Sequence, residues 1–355
     1  MPILERYLGG IIAQYTLVAL LGLLGLFVFA NFLDQLSDLG RGRYGVLDAL
    51  WYIALTAPRT AYELLPMATL LGAIIGLSLL AGDSELIVLR ASGVSLPQIT
   101  VAALKTAGLF VIAAVLIGEL IAPQSEIRAQ RGRAEALQRD IKQHTHFGLW
   151  MRDAGTYVNI GEVLPDLTVR RVKLFQFSPD RKLRALVFAE HGEFAGDHWA
   201  LSEVRETRFT PGGGVETAHR DTRPWRTSVT PQILSVFLLR PGQLSMWQLR
   251  RYIRHLADNR QQTRPYELAF WNKLMLPLTV AVMVALAVPF VFANLRSGTL
   301  GRSVFAGILL GLGFYAASRG FGYIVLAYGL PPLLGATLPL VAFLLLALVM
   351  MRRIN

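Results

Sequence analysis

From Leu8 to Phe32 the chain carries no charged side chain, a run of 25 residues. A hydrocarbon core needs about 20 apolar residues in one helix to cross it. Only a helix or a closed barrel pairs every backbone N–H and C=O within such a core. The run exceeds the roughly 7–15 apolar residues of a signal h-region and lacks an A-x-A cleavage site, so a retained span over Ile11–Leu33 is expected. A second apolar stretch, Trp51–Ala81, is too long for one ordinary helix. Pro58-Arg59 is expected to divide it into an interfacial amphipathic piece and a span over Ala61–Ala81. A third span, Thr100–Ala122, is expected to stop at Pro123. Three more follow a polar middle: Leu268–Phe292, Val304–Leu326 and Pro332–Met350. The spans are therefore six, split three and three.

Composition agrees. The chain is 53% hydrophobic, against about 45–50% in soluble domains, and the excess sits at the two ends. The formal charge of +11 fits the charge bias of a membrane protein better than a nucleic-acid partner. The absence of cysteine excludes disulfides, thiolate catalysis and Cys-based metal sites.

Loop charges set the orientation. Arg6, Arg90, Lys105, Arg296, Arg302, Arg352 and Arg353 fall on one side; Arg41, Arg43 and Arg59 fall on the other. The larger set marks the cytoplasm, so both termini are expected inside and the middle outside. The middle, Gln124 to Arg264, opens with a polar helical stretch, Ser125–Lys142, that extends the third span. Alternating runs from Leu149 onward, notably Val169–Phe177, Leu183–Ala189 and Trp199–Phe209, are separated by Gly/Pro-rich breakers. They predict an antiparallel sandwich or jelly-roll. Ser245–Asn259 reads as a helix leading back to the membrane.

A phosphate cradle of the G-x-x-x-x-G-K-[ST] kind is absent. The one Lys followed by Ser or Thr is Lys105, preceded by Leu104 rather than Gly. Energy from ATP would have to come from a partner. The loop after the second span, Gly82 to Gly93, carries Asp83, Ser84, Glu85, Leu86, Leu89 and Arg90. Ser84 or Asp83 can cap a short helix and Gly93 can end it, with Leu86, Leu89 and Arg90 sharing a face. Such a helix either merely connects two spans or docks in a groove of a cytoplasmic motor protein. Gly72 with Gly76, and Gly307 with Gly311, permit close helix contact in lipid.

Charges at membrane depth are costly, at least ~2.5–3.5 kcal/mol each. Glu119, Lys273, Arg319 and Arg59 all fall toward the outer end of the spans. They either snorkel or pair, with Glu119 as the acid. Alternatively they join Arg41, Arg43, Arg128, Arg131 and Arg133 in a basic collar suited to phosphorylated headgroups, which arginine matches bidentately. The six histidines all lie in the middle segment. His144 and His146 lack further ligands at metal spacing, so no metal site is expected. No nucleophile elbow, zinc motif or carboxylate pair supports an enzyme, and no cofactor is expected.

Several strings, weak singly, occur in a telling order. They are Leu4-Glu5-Arg6-Tyr7, Phe32-Leu33-Asp34-Gln35-Leu36, Ser84-Glu85-Leu86 with Ala91-Ser92-Gly93, and Gly118-Glu119 with Ala122-Pro123-Gln124. Trp271-Asn272-Lys273, Pro277-Leu278-Thr279 and Tyr328-Gly329-Leu330-Pro331-Pro332 with Gly335-Ala336 and Leu338-Pro339 complete the set. With this topology the whole chain resembles the lipopolysaccharide-export permeases of the LptF/LptG family, the last string favouring the LptG branch.

The resemblance implies an α-helical membrane protein with six transmembrane helices (3+3) and an inserted periplasmic antiparallel β-jelly-roll domain. Residues 1–123 would hold spans one to three with a coupling helix at about 83–94, 124–264 the jelly-roll, and 265–355 spans four to six. It implies a non-catalytic permease subunit of an ABC transporter, in the bacterial inner membrane, that extracts lipopolysaccharide. The implied partners are an LptF-like permease, an LptB-like ATPase dimer, and LptC- and LptA-like periplasmic proteins. Glu85 and its neighbours would transmit ATPase motion, and the collar would grip lipid A phosphates. The chain departs from the family where lysines are expected near the end of the first span: Asn31, Ser37 and Asp38 stand there, with Arg41 and Arg43 as substitutes. Two rival readings are a mechanotransmission permease of a lipoprotein-release system, typically of four spans, and an intramembrane enzyme modifying envelope lipid.

Overall fold

The computed structural model describes the chain except at residues 1, 138–148, 154, 164–167, 179, 181, 211–212, 228, 232–233, 235–240, 260, 294–299 and 355. His144, His146, Arg296 and Lys142 thus lie outside the described residues. Six helices are long and apolar enough to cross a membrane. They are α1 (Pro2–Leu36), α2 (Val46–Gly82), the joined α4 (Leu96–Leu116) and α5 (Ala122–Ala136), α7 (Arg264–Ala293), α8 (Leu300–Tyr328) and α9 (Pro332–Ile354). The short helices α3 (Glu85–Ala91) and α6 (Met246–Asp258) and a 3-10 turn, Pro241–Gln243, are also described. The three-plus-three division around a β domain is as expected.

Two expected breaks do not occur. α2 is one helix of 37 residues, continuous through Pro58 and Pro66. Each proline frees one carbonyl, but ending the helix in lipid would free several backbone groups at both new ends. Nor does the third span stop at Pro123. Between α4 and α5 lies a single π-turn, Ile117–Ile121, in which the Ala122 N–H reaches back to the Ile117 carbonyl. The extra residue shifts the register so that the helix passes the proline and runs on to Ala136.

Close approach between helices relies on the predicted small residues. A Cβ on Gly72 would lie 2.3 Å from the backbone of Thr16 on α1, and one on Gly76 3.0 Å from Ile11. Gly311 and Gly307 seat α8 against Met67 and Ile74 of α2. α2 is accordingly the central helix, its span mostly buried where that of α1 is mostly exposed. The main helical core gathers Leu8, Leu77, Leu86, Leu96, Val288 and Ala347.

The β domain is a six-stranded antiparallel meander in sequential order. Its strands are β1 (Leu149–Asp153), β2 (Thr156–Val163), β3 (Val169–Phe177), β4 (Leu183–Phe194), β5 (Trp199–Phe209) and β6 (Val215–Trp225). Val158, Val172, Val187, Ala189, Leu201 and Val204 are fully buried, although they lie on one sheet. A flat sheet would leave them open to water, so the sheet must fold over its own apolar face. A crease does this. Pairing lapses at Gly161, Arg171, Glu190, Glu203 and Asp221, level with one another across β2 to β6, with no change of register. Arg171 (φ 52°) and Glu203 (φ 53°) take the left-handed conformation there. Gly192, on the inner side, admits Val169 and Leu201 at 2.8 and 2.9 Å from where a Cβ would stand. Trp199 plugs the fold, donating from Nε1 to the Val229 carbonyl at 2.7 Å.

Candidate coupling and lipid-headgroup sites

The helix ends segregate as the loop charges require. Leu4 of α1, Leu86 of α3, Val94, Phe292 at the end of α7 and Met351 of α9 share one core at one end of the bundle. At the opposite end the loop after α1 packs Tyr44 and Leu39 on Ala136 and Leu137 of α5.

The loop between α2 and α4 forms the expected short helix, with different caps. Ser84 takes the left-handed conformation (φ 63°) and its side chain makes no cap bond. Backbone turns close both ends instead, Gly93 supplying φ 93° at the exit. Leu86 is fully buried and Leu89 packs on the helical core, so they hold α3 to the bundle rather than present it. The outward side is Ile87 and Val88, 55% and 63% exposed, beside Arg90 and Asp83. These two residues form the exposed apolar side of the helix, whereas the face shared by Leu86 and Leu89 turns toward the bundle. Glu85 accepts a 2.7 Å hydrogen bond from the Tyr7 hydroxyl of α1. Nearby, Lys105 of α4 pairs with Glu5 at 2.6 Å. The loop helix is thus tied to the start of α1, and α1 to α4 at Lys105, and Tyr7 was not singled out because no spacing rule reaches across 78 residues.

The basic residues of the other end divide into three groups. Asp38, one of the departures from the expected lysines, is buried and holds two of them. Its Oδ1 pairs with Arg41 at 2.9 Å and its Oδ2 with Arg133 of α5 at 2.5 Å. Arg133 also covers the Tyr52 ring at 5.3 Å. The Arg43 backbone N–H donates to the Ala136 carbonyl at 2.7 Å, which holds its backbone at the same corner, and the residue is exposed. Gly42 passes under this contact, its position leaving 2.8 Å to the Leu137 backbone. Arg128 is exposed and Arg131 half-buried on the same helix. Arg41 and Arg133 therefore share one carboxylate, with the Arg43 backbone held beside them.

Arg59 and Arg319 stand apart. Arg59 pairs with Glu63 one turn along its own helix at 2.9 Å, and Arg319 lies exposed over Tyr315 at 5.4 Å. Lys273 faces inward. Its Nζ donates to Glu119 Oε1 at 2.8 Å and to the Gly118 carbonyl at 2.7 Å, and its side chain is 8% exposed. It is the pairing partner of Glu119, one of the readings its position allowed beside snorkelling and a place in the basic collar. Among the described residues no group of acids and histidines could hold a metal ion.

The comparisons with known proteins bear on the whole of this arrangement. The profile of the family described as lipopolysaccharide export system permease LptF/LptG matches residues 6–353. The lipopolysaccharide export system permease protein LptG of Escherichia coli (strain K12) is 36% identical over 353 residues, covering 99% of this chain and 98% of the relative. The LptG protein of Haemophilus influenzae is 33% identical over 345 residues, covering 97% and 96%. Coverage of this extent takes in both sets of spans, the β domain and both candidate sites together. The chain belongs to the LptF/LptG family of lipopolysaccharide export permeases.

Proposed function

We propose that the chain is the permease subunit of an ABC transporter that takes lipopolysaccharide from the inner membrane and hands it to a periplasmic bridge. The full-length match to lipopolysaccharide export permeases carries this reading. The division of labour follows from physics. The chain lacks a phosphate cradle, so a partner ATPase supplies hydrolysis. Ile87 and Val88 would dock in that partner, because they are exposed on a helix that Leu86 roots in the bundle. Glu85 would pass the motion on through its bond to α1. In this orientation α3 and both termini are cytoplasmic, residues 1–123 and 265–355 form the membrane part, and the β domain of 124–264 is periplasmic.

At the far end Arg41, Arg43 and Arg133 are the residues placed to meet phosphorylated headgroups, with Asp38 holding two of them in position. Arg128 and Arg131 extend that surface along α5, and Arg59 and Arg319 would contribute from α2 and α8. The folded β domain, apolar within, offers a cover for acyl chains beyond the membrane. An LptF-like permease, two LptB-like ATPases and LptC- and LptA-like proteins are the partners this reading requires.

Co-purification of the tagged chain from Gram-negative membranes tests it. Recovery of an ATPase and a second six-span permease, with hydrolysis that responds to lipopolysaccharide, is the expected result. A chain recovered alone, with no ATPase and no lipid effect, would overturn it.

A further inference from the structure

Helix α6 presents a charged face that none of the sites above uses. Ser245 opens it with a reciprocal cap, its Oγ accepting from the Gln248 N–H at 3.2 Å while Gln248 Oε1 accepts from the Ser245 N–H at 2.8 Å. Leu249, Tyr252 and Leu256 are buried against Ile127 of α5 and Tyr266, Ala269 and Phe270 of α7. On the opposite side Trp247, Arg250, Arg251 and Arg254 fall within an arc of about 100°. All four are exposed, Trp247 by 68%. None of the three arginines has an ion pair or hydrogen bond among the described residues.

The depth of this face is fixed at both ends. At the N-terminus the Met246 N–H donates to Glu119 Oε2 at 2.9 Å, and Glu119 pairs with Lys273. Toward the C-terminus Tyr252 meets the Tyr266 ring edge-on at 4.6 Å. α6 therefore runs back along the first turns of α7, from the level of Lys273 toward that of Arg264. Nine residues of helix separate these two, about 13 Å. Arg264 in turn lies beside Gly329, in the turn between the last two spans. The face thus runs along the first ~13 Å of α7 toward the turn between α8 and α9, the stretch where hydrocarbon would give way to headgroups. Trp247 is at the deeper end, with Arg250, Arg251 and Arg254 about 5, 6 and 10 Å further out along the axis. Left in hydrocarbon, each bare guanidinium would be costly, at least ~2.5–3.5 kcal/mol. An indole at the boundary with cations above it matches the layering of a lipid interface.

We infer that α6 is an interfacial anchor whose Trp247, Arg250, Arg251 and Arg254 bind the anionic headgroups of the surrounding lipid leaflet. The inference rests on the spans and on α6, and does not depend on what the bundle exports. Bidentate guanidinium–phosphate contacts supply the binding, and Trp247 sets the depth. Held in this way, α6 fixes the point where the β domain re-enters the membrane.

The test uses the full chain, with any subunits it retains, in nanodiscs of equal phosphatidylglycerol and phosphatidylcholine. Native mass spectrometry of the lipid retained on extraction should show phosphatidylglycerol enriched on the wild type. The Arg250→Gln/Arg251→Gln/Arg254→Gln variant should lose that enrichment several-fold. Equal enrichment on both would overturn the proposal. So would loss of wild-type enrichment on adding inorganic phosphate, which would mark a site for free anions. Trp247→Phe gives a reading that does not depend on the triple variant folding. The emission it removes should be quenched by lipids brominated near the top of their chains and spared by aqueous iodide. The reverse pattern would place the face in water and sink the proposal.

Discussion

Lys273 pairs with Glu119 across two spans and also donates to the carbonyl of Gly118, and the second bond explains the first. In the π-turn the Ala122 N–H goes to Ile117, and the residue placed to serve Gly118 in the same pattern is Pro123, which has no N–H. The ammonium of Lys273 fills that vacancy and needs a counter-charge, which Glu119 supplies. Gly118 itself is packed under Tyr62, whose ring would lie 2.5 Å from a Cβ there. Proline, π-turn, glycine and ion pair form one device that lets a single helix carry the chain from the membrane to the β domain.

Breaking that pair should be costly. Lys273→Met leaves the Glu119 charge without its partner and the Gly118 carbonyl without a donor. The expected loss is about 3 kcal/mol, the low end for a broken buried pair, because Glu119 is 25% exposed. Combining it with Glu119→Gln should recover part of the loss, since no lone charge then remains. Denaturant unfolding of the two variants in detergent checks both statements. Equal destabilisation by the single and double variants would show that the pair's charges are unimportant.

Gly72 should tolerate no side chain. A Cβ there would come within 2.3 Å of the Thr16 backbone, and backbone cannot swing aside. Gly72→Ala is expected to cost about 1–3 kcal/mol as α1 is pushed off α2. Gly22→Ala, with nothing within 4 Å, should be neutral or slightly stabilising. Thermal melting of the two variants in parallel separates a packing effect from helix propensity.

The number and placing of the spans were legible because lipid demands long uncharged runs, and a run such as Leu8 to Phe32 has no soluble reading. Where the reading failed, the cause was local chemistry met by distant partners. Pro58 and Pro123 read as breaks because sequence shows the missing N–H but not the lipid penalty or the lysine that repairs it. Which side of α3 is exposed was not legible, because seven residues are too few for a hydrophobic period to show which face is inward. β6 escaped notice for a related reason: it is an edge strand with most of its side chains in solvent, so it has no alternation to read. Of the basic residues, Arg41 and Arg133 meet because Asp38 holds both, a fact that no spacing rule contains.

His255 should make the α6 junction sensitive to acid. Burial holds its imidazole below the usual value of 6.5, against the raising influence of Asp153 and Asp258. The folded state therefore binds fewer protons than the unfolded one just below that value, and stability must fall as pH drops through 6.5 toward the folded value. Above pH 7 no change is expected from this group. Hydrogen exchange of the α6 amides at pH 7.5 and 5.5 should show loosening at the lower pH. His255→Phe, which keeps the stacking on Tyr252 (ring centroids 6.3 Å apart), should abolish the difference.

The Tyr7–Glu85 bond should matter to coupling more than to assembly. Under the proposed function Glu85 lies between the partner ATPase and α1, and its 2.7 Å bond is the direct polar link between α3 and α1 described at this end. Tyr7→Phe removes one hydroxyl and leaves the ring, so the complex should still assemble. A hydrogen bond to a charged group is worth about 1.5–3 kcal/mol when shielded, and this one is exposed. Solvent screening leaves only a small part of that, so a modest fall in lipid moved per ATP hydrolysed is expected. Glu85→Ala should be more severe, because it also removes the carboxylate from the docking face. Transport and hydrolysis measured together on the reconstituted complex decide the matter. Tyr7→Phe with an unchanged ratio would show that motion reaches the spans through the Leu86 root alone.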